Sequence, residues 1–161
     1  MKYLLDANVL VAWGWSDHID HDRVVTWIAR TAATKADVLM TSPIPQLGFV
    51  RVSVQRANRQ VSVAKASEVL SGMLDALGEA HQFLPDDQAA LQWPEWCHGA
   101  GRTTEAHLLA LARAHDAKLA TLDTGIPTAF LVPHTPSEAT ETDPAPLTPP
   151  SSSSSRGARR R

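Results

Sequence analysis

Short continuous apolar runs alternate along this chain with longer stretches in which apolar residues return every three or four positions. The first pattern marks strands buried on both faces, the second amphipathic helices. "KYLL" predicts a first strand, and "ANVLVAW" carries the apolar run into a turn or short helix. After the polar loop "GWSDHID", Val24, Val25, Ile28 and Ala29 lie at helical spacing in "HDRVVTWIARTAA". "DVLMT" predicts a second strand. Ser42, a hydroxyl suited to N-capping, and Pro43, whose ring holds a helical φ, then open a helix through "IPQLGFVRVSVQR". Residues 61–80 predict a long third helix and "HQFLP" a third strand, with Asp86 and Asp87 as cap and first turn of a short helix over "QAALQW". "TTEAHLLALARAHDA" predicts a further helix, "KLATL" a fourth strand and "FLVP" a fifth. Strands alternating with helices predict an α/β fold, a parallel sheet covered on both faces.

Composition divides the chain. With 161 residues there is material for one ordinary domain, expected over residues 1–134. From Thr135 onward Leu147 is the only large aliphatic residue, so burial cannot offset the entropy of ordering and residues 135–161 are expected to be a disordered Pro/Ser/Arg-rich tail. Four arginines, Arg156 and Arg159 to Arg161, end that tail; residues 1–134 carry 11 Lys and Arg against 14 Asp and Glu. The body is therefore mildly acidic, which excludes a domain that grips nucleic acid by overall charge. Cys97 is the single cysteine, so an internal disulfide and a thiolate cluster are excluded. No run reaches the ~18 apolar residues of a membrane span, and the start of the sequence lacks signal-peptide character, so a cytoplasmic protein is expected.

The placement of acids points to chemistry. Asp6 stands amid Leu, Val and Ala. A carboxylate withdrawn from water is costly unless paired, so Asp6 is expected either at an exposed strand end or beside a cation. Asn8 lies two residues on and shares its direction if the strand continues. Asp123 directly follows "KLATL", and Glu105 precedes Leu108, Leu109 and Ala112 by 3, 4 and 7 residues, which turns it toward the sheet. Parallel sheets bind ligands beyond their carboxyl ends, and three carboxylates collected there suit a hard divalent cation such as Mg²⁺. Each acid also has a local explanation. The macrodipole favours Glu105 in a first helical turn, and Asp123 is a natural turn residue before Gly125.

"LLDANVLVAW", "TSPIPQLGFVRV" and "TTEAHLLALARAHDAKLATLD", in that order, resemble the signature stretches of PIN-domain ribonucleases, specifically VapC-like toxins of bacterial toxin-antitoxin systems. The resemblance spans about residues 1–134 and implies a three-layer α/β/α sandwich with a mostly parallel sheet. It also implies a single-stranded RNA endonuclease using Mg²⁺ or Mn²⁺, commonly homodimeric and inhibited by a cognate antitoxin protein. Position by position it implies catalytic and metal-binding roles for Asp6, Glu105 and Asp123, with Asn8 as the accompanying polar residue. Two positions depart from the pattern. Glu105 stands where the family usually has Asp, and Gln46 where it normally has Glu. Losing one unit charge about 4 Å from a divalent ion forfeits about 2 kcal/mol of gross attraction at water-like dielectric and about 8 at an effective ε of 20. An amide oxygen still ligates a hard cation, so Gln46 is retained as a ligand and weaker metal binding is expected.

Other clusters carry plainer readings. In "SDHIDHD" the two histidines suggest zinc, but Asp20 as cap and Asp22 in the first helical turn account for the acids. "GAGRTT" lacks the ending of a phosphate-binding loop and follows no strand. Trp13 and Trp15, just after the Asp6 strand, are candidates to stack on RNA bases, and Arg51, Arg56 and Arg59 to meet phosphates. An alternative to the nuclease is a catalytically weakened PIN-fold module that binds RNA or antitoxin without cleavage. A response-regulator-like signalling domain also gathers carboxylates at strand ends, but its paired acids after the first strand are not present.

Overall fold

A computed structural model of the chain describes residues 1–58 and 60–134. Arg59 and the expected disordered tail lie outside the described residues.

Successive side chains on a strand point to opposite faces, so a strand that is apolar throughout must be covered twice. The strands are β1 (Lys2–Leu5), β2 (Val38–Thr41), β3 (His81–Phe83), β4 (Lys118–Thr121) and β5 (Phe130–Leu131); the helices are α1 (Ala7–Gly14), α2 (His21–Ala32), α3 (Pro43–Arg56), α4 (Val63–Asp75) and α5 (Thr103–Ala114). The strands form one sheet in the order β3-β2-β1-β4-β5, and every pairing is parallel. Tyr3, Leu5, Leu39 and Ala120 face one side, where Val9, Leu10, Val24, Trp27, Ile28, Phe49 and Leu70 of α1 to α4 pack. Leu4, Met40 and Leu119 face the other and meet Leu108, Leu109, Leu111 and Ala112 of α5. The α/β/α sandwich follows from that alternation. Among the described residues no helix is long and apolar enough to cross a membrane.

Gly48 lets α1 and α3 approach closely, since a Cβ there would stand 2.7 Å from the Ala7 Cβ. The contact ties the helix that follows Asp6 to the helix that carries Gln46.

Four local expectations are corrected. The third helix ends at Asp75, and the chain passes through a 3₁₀ turn at Gly78–Ala80; His81 must leave the helix axis to pair with Leu39 in β3. No helix forms over residues 88–93. The intended capping acids bond elsewhere, Asp86 to His107 Nε2 at 2.8 Å and Asp87 to His115 Nε2 at 3.1 Å. Leu91 is 84% exposed, so the segment has no apolar face to bury. Ser42 occupies the cap position of α3, yet its hydroxyl makes no capping bond, and Asp20 at the start of α2 accepts from Arg23 Nη1 at 2.9 Å instead of capping.

Candidate active site at the carboxyl edge of the sheet

The strand order reverses direction at β1, whose neighbours are β2 on one side and β4 on the other. Chain crossovers leave that edge on opposite faces, the arrangement at which open α/β sheets commonly bind ligands beyond their carboxyl ends. Asp6 follows β1 and Asp123 lies just past β4.

Asp6 is not at an exposed strand end, and among the described residues no basic side chain pairs with it. It is 6% exposed and marks the turn from strand to helix: the chain becomes helical at Ala7, so the extension that would have aligned Asp6 with Asn8 does not occur. Its Oδ1 accepts from the Ala7 backbone N–H at 2.7 Å, and its Oδ2 accepts from the Thr121 hydroxyl at 2.8 Å. Burial pushes the carboxyl up from its ordinary pKa; the two hydrogen bonds oppose this, and the fields of Glu105 and Asp123 add to it. The charged form is therefore held at a cost.

Asn8 joins the site through a shared partner. Its Nδ2 donates to Thr121 Oγ1 at 2.9 Å, and its Oδ1 accepts from the Leu122 N–H at 3.1 Å. Thr121 also accepts from the Asp123 N–H at 3.1 Å. One buried hydroxyl thus sets Asp6, Asn8 and Asp123 relative to one another.

Glu105 and Asp123 meet at Arg102. Its Nη1 donates to Glu105 Oε2 at 2.8 Å and to Asp123 Oδ2 at 3.2 Å. The remaining Asp123 oxygen accepts from the Gly125 N–H at 2.7 Å. The Glu105 contact, then the field of Asp123, raise the guanidinium above the ordinary arginine pKa.

Gln46 is directed to a separate chain of bonds. Its Nε2 donates to Thr41 Oγ1 at 3.0 Å, and Thr41 meets His81 Nε2 at 2.8 Å. Burial lowers the His81 pKa, which favours a neutral ring accepting from the Thr41 hydroxyl. Among the described residues no hydrogen bond joins Gln46 to the three acids. Next to Thr41, Ser42 Oγ is buried without a partner.

Trp13 is half-buried and packs against the core on the α1 side, and Arg51 is exposed on α3. Trp15 donates from its indole to Ser53 Oγ at 3.0 Å beneath Arg56. His21 Nδ1 bonds the Ala12 carbonyl oxygen at 2.9 Å and His18 Nδ1 accepts from the Asp20 N–H at 3.1 Å, so these rings are engaged with backbone.

Sequence reasoning missed Thr121 and Arg102. Thr121 precedes Asp123 by two residues, the spacing that puts both on one face of an extended strand. Arg102 precedes Glu105 by three, a helical ion-pair spacing.

A family model described as PIN domain matches residues 3–129. The chain belongs to the PIN domain family. Among its relatives in Mycobacterium tuberculosis, Ribonuclease VapC39 is 33% identical over 132 residues, covering 78% of this chain and 91% of that protein. Ribonuclease VapC38 is 38% identical over 126 residues, 76% of this chain and 86% of the relative. Ribonuclease VapC29 is 35% identical over 130 residues, 78% and 89% respectively. Membership of the family sets aside the signalling-domain alternative.

The donor set fits a hard divalent cation in kind: carboxylates from three remote stretches, with an amide carbonyl on Gln46 and the unpartnered Ser42 hydroxyl nearby in sequence and fold. As they stand, no three such side chains converge closely enough to hold an ion among the described residues. A guanidinium, itself a cation, spans two of the three acids instead.

Proposed function

We propose that this PIN-domain protein is a metal-dependent endonuclease of single-stranded RNA and the toxin of a type II toxin-antitoxin pair. The observation that carries the reading is that Asp6, Glu105 and Asp123 all stand at the carboxyl edge of the sheet in a PIN-domain chain, near enough for the fields of Glu105 and Asp123 to act on the buried Asp6 carboxyl. Relatives named as VapC ribonucleases support the activity; the partners that belong to this proposal are a small antitoxin protein and a second copy of the chain.

Asp6, Glu105 and Asp123, with the Gln46 carbonyl, would hold Mg²⁺ or Mn²⁺. When bound, the ion supplies an activated water and neutralises charge on the scissile phosphate. The chain's own residues do the positioning. Thr121 aims one oxygen of Asp6, and Asn8 holds Thr121 in place, so Asn8 acts on the site through that hydroxyl. Arg51 offers an exposed cation for an RNA phosphate, and the open part of Trp13 a surface for a base.

Incubating the full chain with single-stranded RNA tests this reading. Fragments are expected with Mn²⁺ or Mg²⁺ and none with excess EDTA. RNA bound but uncut in both conditions overturns the nuclease and favours the non-cleaving module, a reading that Gln46 and the Arg102 bridge give some footing.

Restoring the family's acid by Gln46→Glu should tighten divalent-ion binding severalfold. It should also reverse the chain of donors through Thr41, because a carboxylate can only accept, so that His81 becomes a donor and its pKa rises. Calorimetric titration with Mg²⁺ reads the first effect and NMR titration of the histidines the second. Unchanged metal affinity places Gln46 outside the ligand set.

A further inference from the structure

We infer that Arg102 is a built-in counterion of the metal-free pocket, and that loading a divalent cation is an exchange in which the guanidinium gives up Glu105 and Asp123. The inference rests on the metal-site reading above.

Three observations place the guanidinium in a prepared seat. A single nitrogen, Nη1, meets carboxylate oxygens from two elements 18 residues apart in sequence, Glu105 of α5 and Asp123 after β4. Gly125 forms the wall beneath it: a Cβ there would stand 2.6 Å from Nη2 and 2.8 Å from Nη1, closer than real Cβ atoms come, and 3.1 Å from Cζ, so the guanidinium would have to move. The N–H of the same glycine holds the other Asp123 oxygen at 2.7 Å, so one turn shapes both the acid and the space for its cation.

Charge explains why the seat is needed. Three carboxylates at one edge repel, and each raises the cost of ionising the buried Asp6. A tethered cation relieves that repulsion when no metal is present. It also shares Glu105 Oε2 and Asp123 Oδ2 with any incoming ion. The two cannot bind those oxygens fully together, because like charges at contact distance repel. Among the described residues, Glu105 Oε1 is the one carboxylate oxygen of the three acids that accepts no hydrogen bond, which gives an ion a first foothold before the guanidinium leaves.

The exchange predicts that weakening the seat tightens metal binding. Arg102→Ala removes the competitor. Gly125→Ala keeps the arginine but denies it the space, without altering any acid. Mn²⁺ binding to the full-length metal-free protein, followed by electron paramagnetic resonance at low ionic strength, is expected to tighten about fivefold in each variant, the scale of two partly exposed ion pairs. Thermal melts supply a readout independent of cleavage. In EDTA Arg102→Ala should melt below the wild type, and Mn²⁺ should raise its melting temperature by more than it raises the wild type's. Mn²⁺ affinity in Arg102→Ala equal to or weaker than the wild type's overturns the exchange, as does a Gly125→Ala protein with wild-type affinity. Absence of Mn²⁺ binding in wild type and variants alike overturns the metal-site reading itself.

Discussion

Asp6→Asn is expected to reduce metal-dependent RNA cleavage by about a thousandfold and, at neutral pH, to raise the melting temperature of the metal-free protein. The two effects share one cause. The Asp6 carboxyl is buried and its pKa is raised, first by desolvation and further by Glu105 and Asp123. A carboxyl whose pKa is higher in the folded than in the unfolded chain contributes stability that is complete below the unfolded value, and that contribution is lost as pH climbs through the folded value. As pH rises from the unfolded value toward neutrality the wild type therefore accumulates the penalty of a buried charge, and the neutral amide does not. Asparagine keeps one local contact, its oxygen accepting from the Ala7 N–H; its nitrogen finds no free lone pair on Thr121, which already accepts from Asn8 Nδ2 and the Asp123 N–H, so loss of that bond trims the gain. The gain over wild type should shrink as pH falls through the raised folded value and level off only below the ordinary carboxyl value of about 3.9, where the acid is protonated in both states. Thermal melts from pH 4 to 7, paired with cleavage assays, check both halves. A variant that still cuts RNA with Mn²⁺, or that loses stability at pH 7, contradicts this account of Asp6.

Thr121→Val carries the second large effect. The substitution preserves shape and removes a hydroxyl that donates to Asp6 and accepts from Asn8 and from the Asp123 N–H. Thr121 is fully buried, so water cannot replace those bonds. Leaving several polar groups unpaired should destabilise the protein by about 2–4 kcal/mol. With Asp6 and Asp123 no longer held to a common point, cleavage should fall about a hundredfold, since reacting groups tolerate displacements of only about 1 Å. Thr121→Ser keeps the hydroxyl and should recover most of both losses. Urea unfolding and single-turnover cleavage distinguish the outcomes; a valine variant equal to wild type in both would remove Thr121 from the centre of the site.

Arg102 and Thr121 show how far pattern reading reaches. Both sit in stretches that the sequence explains by simpler means, Arg102 in a glycine-containing loop and Thr121 in a strand. Nothing local distinguishes a buried threonine that packs from one that serves three partners, because two of its partners lie 115 and 113 residues away. The failed helix over residues 88–93 has the same origin. Asp86 and Asp87 have good capping chemistry, but His107 and His115 of a remote segment compete for their oxygens.

What the sequence determined by itself is the succession of strands and helices, the two-sided burial of the sheet, and the delivery of Asp6 and Asp123 to strand ends. These depend on periodicity and on neighbours a few positions away, which a chain carries in any conformation. The tertiary structure alone decided that Asp6 is buried at the first turn of α1, that Asn8 reaches it through Thr121, that Gln46 bonds Thr41, and that a guanidinium spans Glu105 and Asp123. Those outcomes depend on which distant groups the packed sheet brings within hydrogen-bond reach, and on the burial that makes each of them costly to leave unpaired.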